Sequence, residues 1–378
     1  MKRKKILHVR HRYLGVTFIF YLVNALTDYD HYFLSKVIDK KDLVKYPFDV
    51  KKILTSKINI FLYLNHFYLK IFRSTHFMIN DNFLFYRKIK KLQPDIIHAH
   101  MGREGYYSIP IAKKFHIPLV TTFYGSDMSD VPKIEYWKKR YVKLFREGSA
   151  FIVEGPVMKK KLAEIGCDEK KIFIVPITLP MDEINLFYKT DYTSKNYCKI
   201  LMVANFVEKK GYKTALKVFD ELKRRKFQFS VTIVGDGLLK PEIMNYAKIN
   251  KNIIVLGRKS IKEVYEIAKA FDIFFHPSET SKTGDSEGGA PTIILEMQML
   301  GLPIVSTMHR DIPNIIPIEN HFLAEERDVP GLANTIIDLY QKQDDWYEIA
   351  ERGRRFVIAN HSPENIRKRI DEVYSYIK

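Results

Sequence analysis

Short apolar runs alternate along the chain with stretches in which apolar residues recur at helical spacing. These runs favour buried parallel strands, and they lie at residues 6–9, 96–99, 119–123, 151–153, 200–203, 231–234, 253–256, 273–275 and 303–305. Strands that alternate with helices predict βαβ units and parallel sheets. The pattern therefore predicts an α/β protein.

The periodicity stops between residues 176 and 196 and then restarts, which predicts a boundary between two domains. A chain of 378 residues has about the length of two domains. We expect Rossmann-like domains over residues 1–185 and 196–360, facing each other across a cleft in which ligands bind. Residues 361–378 predict a terminal helix that packs back toward the first domain through Ile366, Ile370, Val373 and Ile377.

Composition excludes several classes of protein. With 46% hydrophobic and 28% charged residues the chain is neither disordered nor of low complexity. Two cysteines exclude a disulfide framework and fit a reducing, cytoplasmic location. The longest uncharged stretch, residues 13–27, falls short of the ~20 residues that cross a bilayer, and basic residues 10 and 12 interrupt the pattern of a signal peptide.

Two segments have the residue types of an anion-binding site. Lys209 and Lys210 follow a predicted strand and precede Gly211 and a helix, where a phosphate could bind; a solvated lysine pair is an equal alternative. Farther along, Glu287 precedes a glycine-rich turn and a helix that contains Glu296. Open amides at such a helix start bind anions, whereas the alternative is a simple helix cap with two solvated glutamates.

These segments resemble the GT4-type family of retaining glycosyltransferases, which have the GT-B fold of two facing Rossmann-like domains. The resemblance in the second half rests on residues 210–211, 234–237, 256–257, 287–291, 296 and 301–307. In the first half residues 94–102, 122–127 and 166–172 resemble the branch that builds capsules, exopolysaccharides and lipopolysaccharides, and Gly15 lies in a degraded version of its phosphate-side loop.

Three positions depart from the family pattern. Asn205 stands where an arginine usually clamps the donor diphosphate, and Tyr124 stands where a histidine is frequent. Glu287 and Glu296 are nine positions apart rather than eight. Lys210 is therefore expected to hold more of the phosphate charge, and Arg258 is expected to contact the base or ribose.

The resemblance implies a metal-independent hexosyltransferase whose donor is a nucleotide sugar, UDP- or GDP-linked, with no cofactor. Lys210 and Glu287 are the expected catalytic residues. The expected donor-binding residues are Gly15, Asn205, Lys210, Arg258, Glu287, Gly288, Gly289, Ala290, Pro291, Thr292 and Glu296. On the acceptor side the candidates are His100, Tyr124 and Asp127, and the acceptor is expected to be a glycan or a lipid-linked glycan.

The net positive charge and its distribution predict an anionic membrane surface as a further partner. The net charge is +18, and residues 1–95 contain 19 Lys and Arg against 7 Asp. Lysines and arginines alternate with aromatic residues over residues 51–91, a mixture that suits an anionic membrane surface on the cytoplasmic side, although solvated core helices would show the same pattern. No nucleic-acid-binding motif is present.

Three alternatives remain open at this stage. A nucleotide-sugar epimerase can share the fold, and a non-catalytic binding relative would explain Asn205 and Tyr124. His98 and His100 lie on one face of a strand, and a packed pair is favoured over a metal site because further ligands are not evident.

Overall fold

The structure is a computed structural model that describes residues 3–12, 17–37, 53–54, 83–129, 131–192 and 196–377. The chain forms two compact units. The N-terminal unit contains Met1–Glu154, Lys159–Thr178 and Ile366–Lys378, and the C-terminal unit contains Gly155–Met158 and Leu179–Asn365. The main division along the chain falls between Thr178 and Leu179.

Each unit has one parallel sheet. The strands of the N-terminal unit are β1 (Lys4–Arg12), β2 (Tyr29–Val37), β3 (Ile53–Leu54), β4 (Ile96–His100), β5 (Leu119–Thr122), β6 (Ala150–Val153) and β7 (Ile172–Ile174). Those of the C-terminal unit are β8 (Cys198–Val203), β9 (Phe229–Val234), β10 (Ile253–Gly257), β11 (Ile273–His276), β12 (Ile304–Thr307) and β13 (Leu323–Ala324).

Both sheets have the strand order of a doubly wound fold. The orders are β3-β2-β1-β4-β5-β6-β7 and β10-β9-β8-β11-β12-β13. In each, the chain winds outward on one side of its first strand and then returns to wind outward on the other side. The point of reversal lies between β1 and β4 in one unit and between β8 and β11 in the other, and ligands of such folds bind at its carboxyl edge.

Helices connect most of the strands, and 3-10 turns lie between them. The α-helices of the described residues are α1 (Thr17–Ala25), α2 (Phe83–Leu92), α3 (Gly102–Phe115), α4 (Gly125–Ser129), α5 (Glu135–Glu147), α6 (Pro156–Glu164), α7 (Met181–Asn185), α8 (Tyr212–Arg224), α9 (Lys240–Ile249), α10 (Ile261–Ala268), α11 (Thr292–Met299), α12 (Val329–Gln341), α13 (Trp346–His361) and α14 (Pro363–Tyr376). None of these helices combines the length and the apolar character that a membrane span requires.

The predicted strands agree with the structure, but four further strands were not predicted. All nine apolar runs lie within strands, to within one residue at their ends. Strands with both faces covered are buried along their whole length, as β4, β5 and β6 are. Strands β2, β3, β7 and β13 were not predicted. In β2 the polar residues Asp30, His31 and Lys36 interrupt the apolar run, and pairing with β1 supplies the burial of Phe33 and Leu34.

The last helix completes the core of the N-terminal unit. Ile366, Ile370 and Val373 of α14 are fully buried in a cluster that also contains Ile6 and Ile96, from the two strands at the sheet reversal. The three apolar residues recur at helical spacing, so one face of α14 supplies all of them.

Candidate functional site

The carboxyl edge of the C-terminal sheet collects the residues that the sequence singled out. Asn205 follows β8, Arg258 follows β10 and Ser278 follows β11. Because every strand pairs in parallel with its neighbours, these strand ends lie on one edge of the sheet. The site therefore forms at the carboxyl ends of β8 and β11, between which the strand order reverses.

Gly211 brings the lysine loop against the segment after β11. Its φ is 68°, in the left-handed region, and a Cβ at this position would lie 1.8 Å from the backbone oxygen of Pro277. Only glycine allows this approach without moving the backbone. The preceding 3-10 turn, Glu208–Lys210, is thereby held beside the loop that contains Ser278 and Glu287.

Lys210 and Glu287 form a close ion pair at this edge. The Lys210 Nζ lies 2.6 Å from Glu287 Oε1, and the side chains are only 15% and 12% exposed. Ser278 Oγ donates a second hydrogen bond, 3.2 Å, to the same carboxylate oxygen. An ammonium group has three N–H donors, and one carboxylate oxygen engages one of them. Lys210 thus retains capacity to bind a second anion in a partly desolvated site.

Lys209 has a different role from its neighbour. Its Nζ lies 3.2 Å from the Asp285 carboxylate and donates to the backbone oxygen of Ser286 at 3.3 Å, while its backbone oxygen accepts from the Glu279 N–H. These bonds hold the loop before Glu287. Of the two lysines, Lys210, which the family resemblance singled out, is the one that pairs with Glu287.

The glycine-rich turn leads directly into α11. Residues Gly288, Gly289 and Ala290 form an irregular segment, and Pro291, in an extended conformation, immediately precedes the first helical residue, Thr292. No side chain caps the amides of the first turn. Helix-start amides that the N-cap side chain does not bond, together with the positive helix end, suit an anion.

Glu296 lies one turn inside this helix. It is half-buried and accepts a hydrogen bond from the Tyr265 side chain, and burial raises its pKa to about 7. A carboxylate with a pKa near neutrality changes charge under ordinary conditions. Its ability to accept hydrogen bonds from a ligand therefore depends on pH.

Asn205 and Arg258 are exposed and make no hydrogen bond or ion pair with Lys210 or Glu287 within the described residues. The Arg258 charge lies close enough to Asp236 to help lower the pKa of that carboxyl, after its bonds with Lys240 and the backbone. Both residues lie on the sheet edge but outside the central pair.

Sequence reasoning missed the residues that hold the backbone at Glu287 and the preceding Ser286. His309 Nε2 accepts the Glu287 backbone N–H at 3.2 Å, and His309 Nδ1 lies 2.5 Å from Glu326 Oε1. Arg310 Nε donates to Ser286 Oγ at 3.2 Å. The one sequence signal that could have indicated His309 and Arg310 is their position just after β12, at the carboxyl edge of the sheet.

In the N-terminal unit, His100 and Asp127 hold Tyr124 from two sides. Asp127 Oδ2 accepts the Tyr124 N–H at 3.2 Å, and Asp127 Oδ1 accepts from the Tyr141 hydroxyl at 3.1 Å. His100 Nδ1 lies 3.0 Å from the Tyr124 hydroxyl. His100 and Asp127 are fully buried, and burial raises the Asp127 pKa to about 6. The predicted residue Gly15 lies outside the described residues.

A directional chain of hydrogen bonds extends from Tyr124 through three histidines. His100 Nε2 lies 3.0 Å from His8 Nδ1, His8 Nε2 lies 2.9 Å from His31 Nδ1, and His31 Nε2 lies 2.7 Å from the Leu26 oxygen. The carbonyl can only accept, so neutral rings must each donate from Nε2 and accept at Nδ1. The chain then requires the Tyr124 hydroxyl to donate to His100.

His98 joins this cluster from β4. Its two ring nitrogens lie 2.8 Å from the Tyr374 hydroxyl and 2.7 Å from Thr122 Oγ1, and burial lowers its pKa to about 3. Nitrogens of His8, His98 and His100 lie within 4.8 Å of one another, the spacing of a candidate metal site that the sequence pattern did not reveal. Each ring nitrogen already has a protein partner, which favours neutral, hydrogen-bonded imidazoles.

Comparison with known proteins identifies the family. Residues 197–342 match the family described as glycosyl transferases group 1, and residues 52–179 match the one described as glycosyltransferase family 4. The chain belongs to the family 4 glycosyltransferases.

Among relatives of this family 4 glycosyltransferase, the amylovoran biosynthesis glycosyltransferase AmsK of Erwinia amylovora is 30% identical over 262 residues. That match covers 68% of this chain and 64% of the relative, so the chain spans somewhat under two thirds of it. The putative colanic acid biosynthesis glycosyltransferase WcaL of Escherichia coli is 26% identical, over 73% of this chain and 69% of that protein.

Solved structures agree on the fold. A glycosyltransferase from Rickettsia africae superimposes with a TM-score of 0.74 at 21% identity, covering 100% of this chain and 99% of that one. The Anabaena protein HepE, solved with UDP and glucose, gives a TM-score of 0.73 at 16% identity, covering 99% and 100%. The predicted GT-B class, with two Rossmann-like domains, is confirmed.

Proposed function

We propose that this protein is a retaining glycosyltransferase of surface polysaccharide biosynthesis. It moves a hexose from a nucleotide diphosphate sugar to a hydroxyl of a glycan or lipid-linked acceptor. The observation that supports this most strongly is the Lys210–Glu287 pair, 2.6 Å apart and mostly buried, at the reversal point of the C-terminal sheet. Relatives named for amylovoran and colanic acid biosynthesis supply the polysaccharide context.

The charge that develops during the reaction determines which protein groups are needed at the site. Cleavage of the donor leaves a diphosphate and an oxocarbenium-like sugar, so the protein must stabilise negative charge on the phosphates. Lys210, assisted by Asn205, and the uncapped amides near Thr292 would supply that stabilisation. No metal ion or cofactor is invoked, because the lysine and the helix start already provide positive potential.

The two glutamates would orient the donor. Following the family resemblance, Glu287 accepts hydrogen bonds from donor-sugar hydroxyls and Glu296 from the ribose. Glu287 is held by Lys210 and Ser278, so its free lone pairs have a fixed direction. Arg258, exposed at the end of β10, would contact the base or ribose. Same-face displacement assisted by the leaving phosphate would retain the configuration of the sugar.

Calorimetric titration with UDP, GDP and ADP tests the donor site. We expect one nucleotide to bind, and we expect Lys210→Ala and Glu296→Ala to lose that binding. Lys209→Ala is the matched control: its lysine is bonded to Asp285 and Ser286, so nucleotide affinity should change much less. Equal losses in the two lysine variants, or no nucleotide binding, would contradict the donor-site assignment.

Turnover is measured with the nucleotide sugar whose nucleotide binds. We expect Lys210→Ala to lower kcat about 10²–10³-fold, as removal of one preorganised donor to a developing anion does in other enzymes. Epimerisation of the donor sugar without any acceptor would instead indicate an epimerase. Nucleotide binding without turnover in any acceptor mixture would indicate a non-catalytic relative.

Association with an anionic membrane surface is a further part of the proposal. The basic and aromatic segment 51–91 lies outside the described residues apart from 53–54 and 83–91, and in the latter stretch Lys90 and Lys91 are exposed at the end of α2. Flotation with liposomes that contain phosphatidylglycerol should recover the protein at low salt and release it at high salt. Absence of salt-sensitive flotation would contradict this part.

A further inference from the structure

His309 contacts the candidate site from inside the C-terminal unit. It follows β12, and its side chain is fully buried. Its Nε2 accepts the backbone N–H of Glu287 at 3.2 Å, and its Nδ1 lies 2.5 Å from Glu326 Oε1. The imidazole thus bridges a carboxylate and the backbone of the residue that pairs with Lys210.

The two contacts define the protonation state of His309. A backbone N–H only donates, so Nε2 must keep its lone pair, and the ring proton then lies on Nδ1, facing the Glu326 carboxylate. Burial lowers the pKa of His309, Arg310 acts in the same direction, and the charges of Glu326 and Glu287 oppose them. The facing His276, whose own pKa burial lowers strongly, adds no positive charge.

Glu326 is itself fixed in place. One carboxylate oxygen accepts the Thr280 N–H at 2.7 Å, and the other accepts from Thr280 Oγ1 at 3.3 Å in addition to His309. A carboxylate with three donors around it has little freedom to rotate. The orientation of the His309 ring is therefore determined by groups outside the site.

The loop that ends in Glu287 is held at two consecutive residues. Ser286 Oγ accepts from Arg310 Nε at 3.2 Å, and Glu287 is bound through its backbone by His309. Beyond Glu287 the chain enters the irregular Gly288–Gly289 segment before α11. Without the His309 bond, the backbone at Glu287 would be fixed from one side only.

We propose that His309, oriented by Glu326, is a positioning residue that holds Glu287 against Lys210, and that it does so only as the neutral imidazole. Protonation at Nε2 would set one N–H against another and break the bond to the Glu287 backbone. The proposal rests on the proposed function in one respect: it takes Glu287 and Lys210 as the donor-sugar and phosphate contacts.

Two substitutions of His309 separate positioning from mere packing. In His309→Gln, the side-chain oxygen can reach the place of Nε2 and accept the Glu287 N–H, but it does not titrate. In His309→Ala the acceptor is lost. His321→Gln is the matched control, because His321 lies in the same unit but is exposed. The full chain is used throughout.

The first measurement is hydrogen exchange at the Glu287 amide, followed by NMR. We expect slow exchange in the wild type and in His309→Gln at pH 7.5, and exchange about tenfold faster in His309→Ala. Below pH 6 the wild type should lose protection, after correction for intrinsic exchange, whereas His309→Gln should not. This arm needs no substrate, so it decides the positioning role even if the proposed function fails.

The second measurement is donor-dependent transfer between pH 5.5 and 8. The wild type and His321→Gln should share an acid limb, and His309→Gln should have a flatter one. His309→Ala should be about tenfold slower than the wild type at pH 8, and the two rates should converge toward pH 5.5. Unchanged amide protection in His309→Ala, or an acid limb in His309→Gln equal to that of the wild type, would overturn the proposal. Absence of transfer in every chain, with amide protection lost only in His309→Ala as expected at pH 7.5, would instead count against the proposed function alone.

Discussion

The N-terminal unit should lose stability steeply in mild acid, because His8, His98 and His100 are fully buried as neutral imidazoles. Burial lowers the pKa of all three, and the neighbouring histidines of the cluster lower the pKa of His8 and His100 further. A histidine with a lowered pKa in the fold binds its proton more readily when unfolded. The free energy of unfolding therefore has its full value above pH 6.5 and decreases as the pH falls below that value.

The magnitude follows from the unfolded pKa of about 6.5, provided that the folded values lie well below the working pH. His98, with a folded pKa of about 3, meets this condition at pH 5.5. Each such histidine then costs about 1.4 kcal/mol at pH 5.5 relative to pH 7.5, or about 4 kcal/mol for the three. A loss of that size is a large part of the ~5–15 kcal/mol by which a typical protein is stable.

Tryptophan fluorescence can follow this unit separately. The chain has two tryptophans, and Trp137 lies in the N-terminal unit whereas Trp346 lies in the other. In a Trp346→Phe chain, urea unfolding of the Trp137 signal is measured from pH 5 to 8. We expect the free energy of unfolding to fall by about 3 kcal/mol per pH unit below pH 6, because protonation of Asp127, whose pKa is raised to about 6, offsets part of the loss from the three histidines. The fall should be smaller by about 1.4 kcal/mol per pH unit in His98→Asn. A slope below about 1.4 kcal/mol per unit, or no change of slope in His98→Asn, would refute the reasoning.

Two further predictions concern the C-terminal unit. Because protonation of Glu296, with its pKa of about 7, removes an acceptor, affinity for the nucleotide sugar should fall about tenfold from pH 8 to pH 6, whereas Glu296→Gln should show a flat profile by calorimetry. Gly211→Ala should lower the free energy of unfolding by more than the ~1–2 kcal/mol of left-handed strain, because its Cβ would meet the Pro277 oxygen. Gly257→Ala, with φ 72° and nothing within 4 Å, should cost only the strain in the same urea titration.

Much of the fold could be predicted because its signals are local. A strand buried on both faces must be apolar along its length, so β4 and β5 are visible in the sequence. The helical spacing of Ile366, Ile370 and Val373 likewise indicated a buried face of α14. Strand β2 was missed because its burial comes from pairing with β1, which a local pattern does not contain.

The sequence determined the fold class, the family and the central pair of the candidate site, because Lys210 and Glu287 lie in motifs with a recognisable local order. Without the family resemblance, the local pattern did not separate Lys209 from Lys210, since their difference is the carboxylate that each meets across the loop. It also left His309 and His8 unnoticed. His8 lies opposite His98 through strand register, and His309 reaches Glu287 from the next strand end. Such contacts join residues 22 to 92 positions apart, and only the folding of the sheets decides which of them meet.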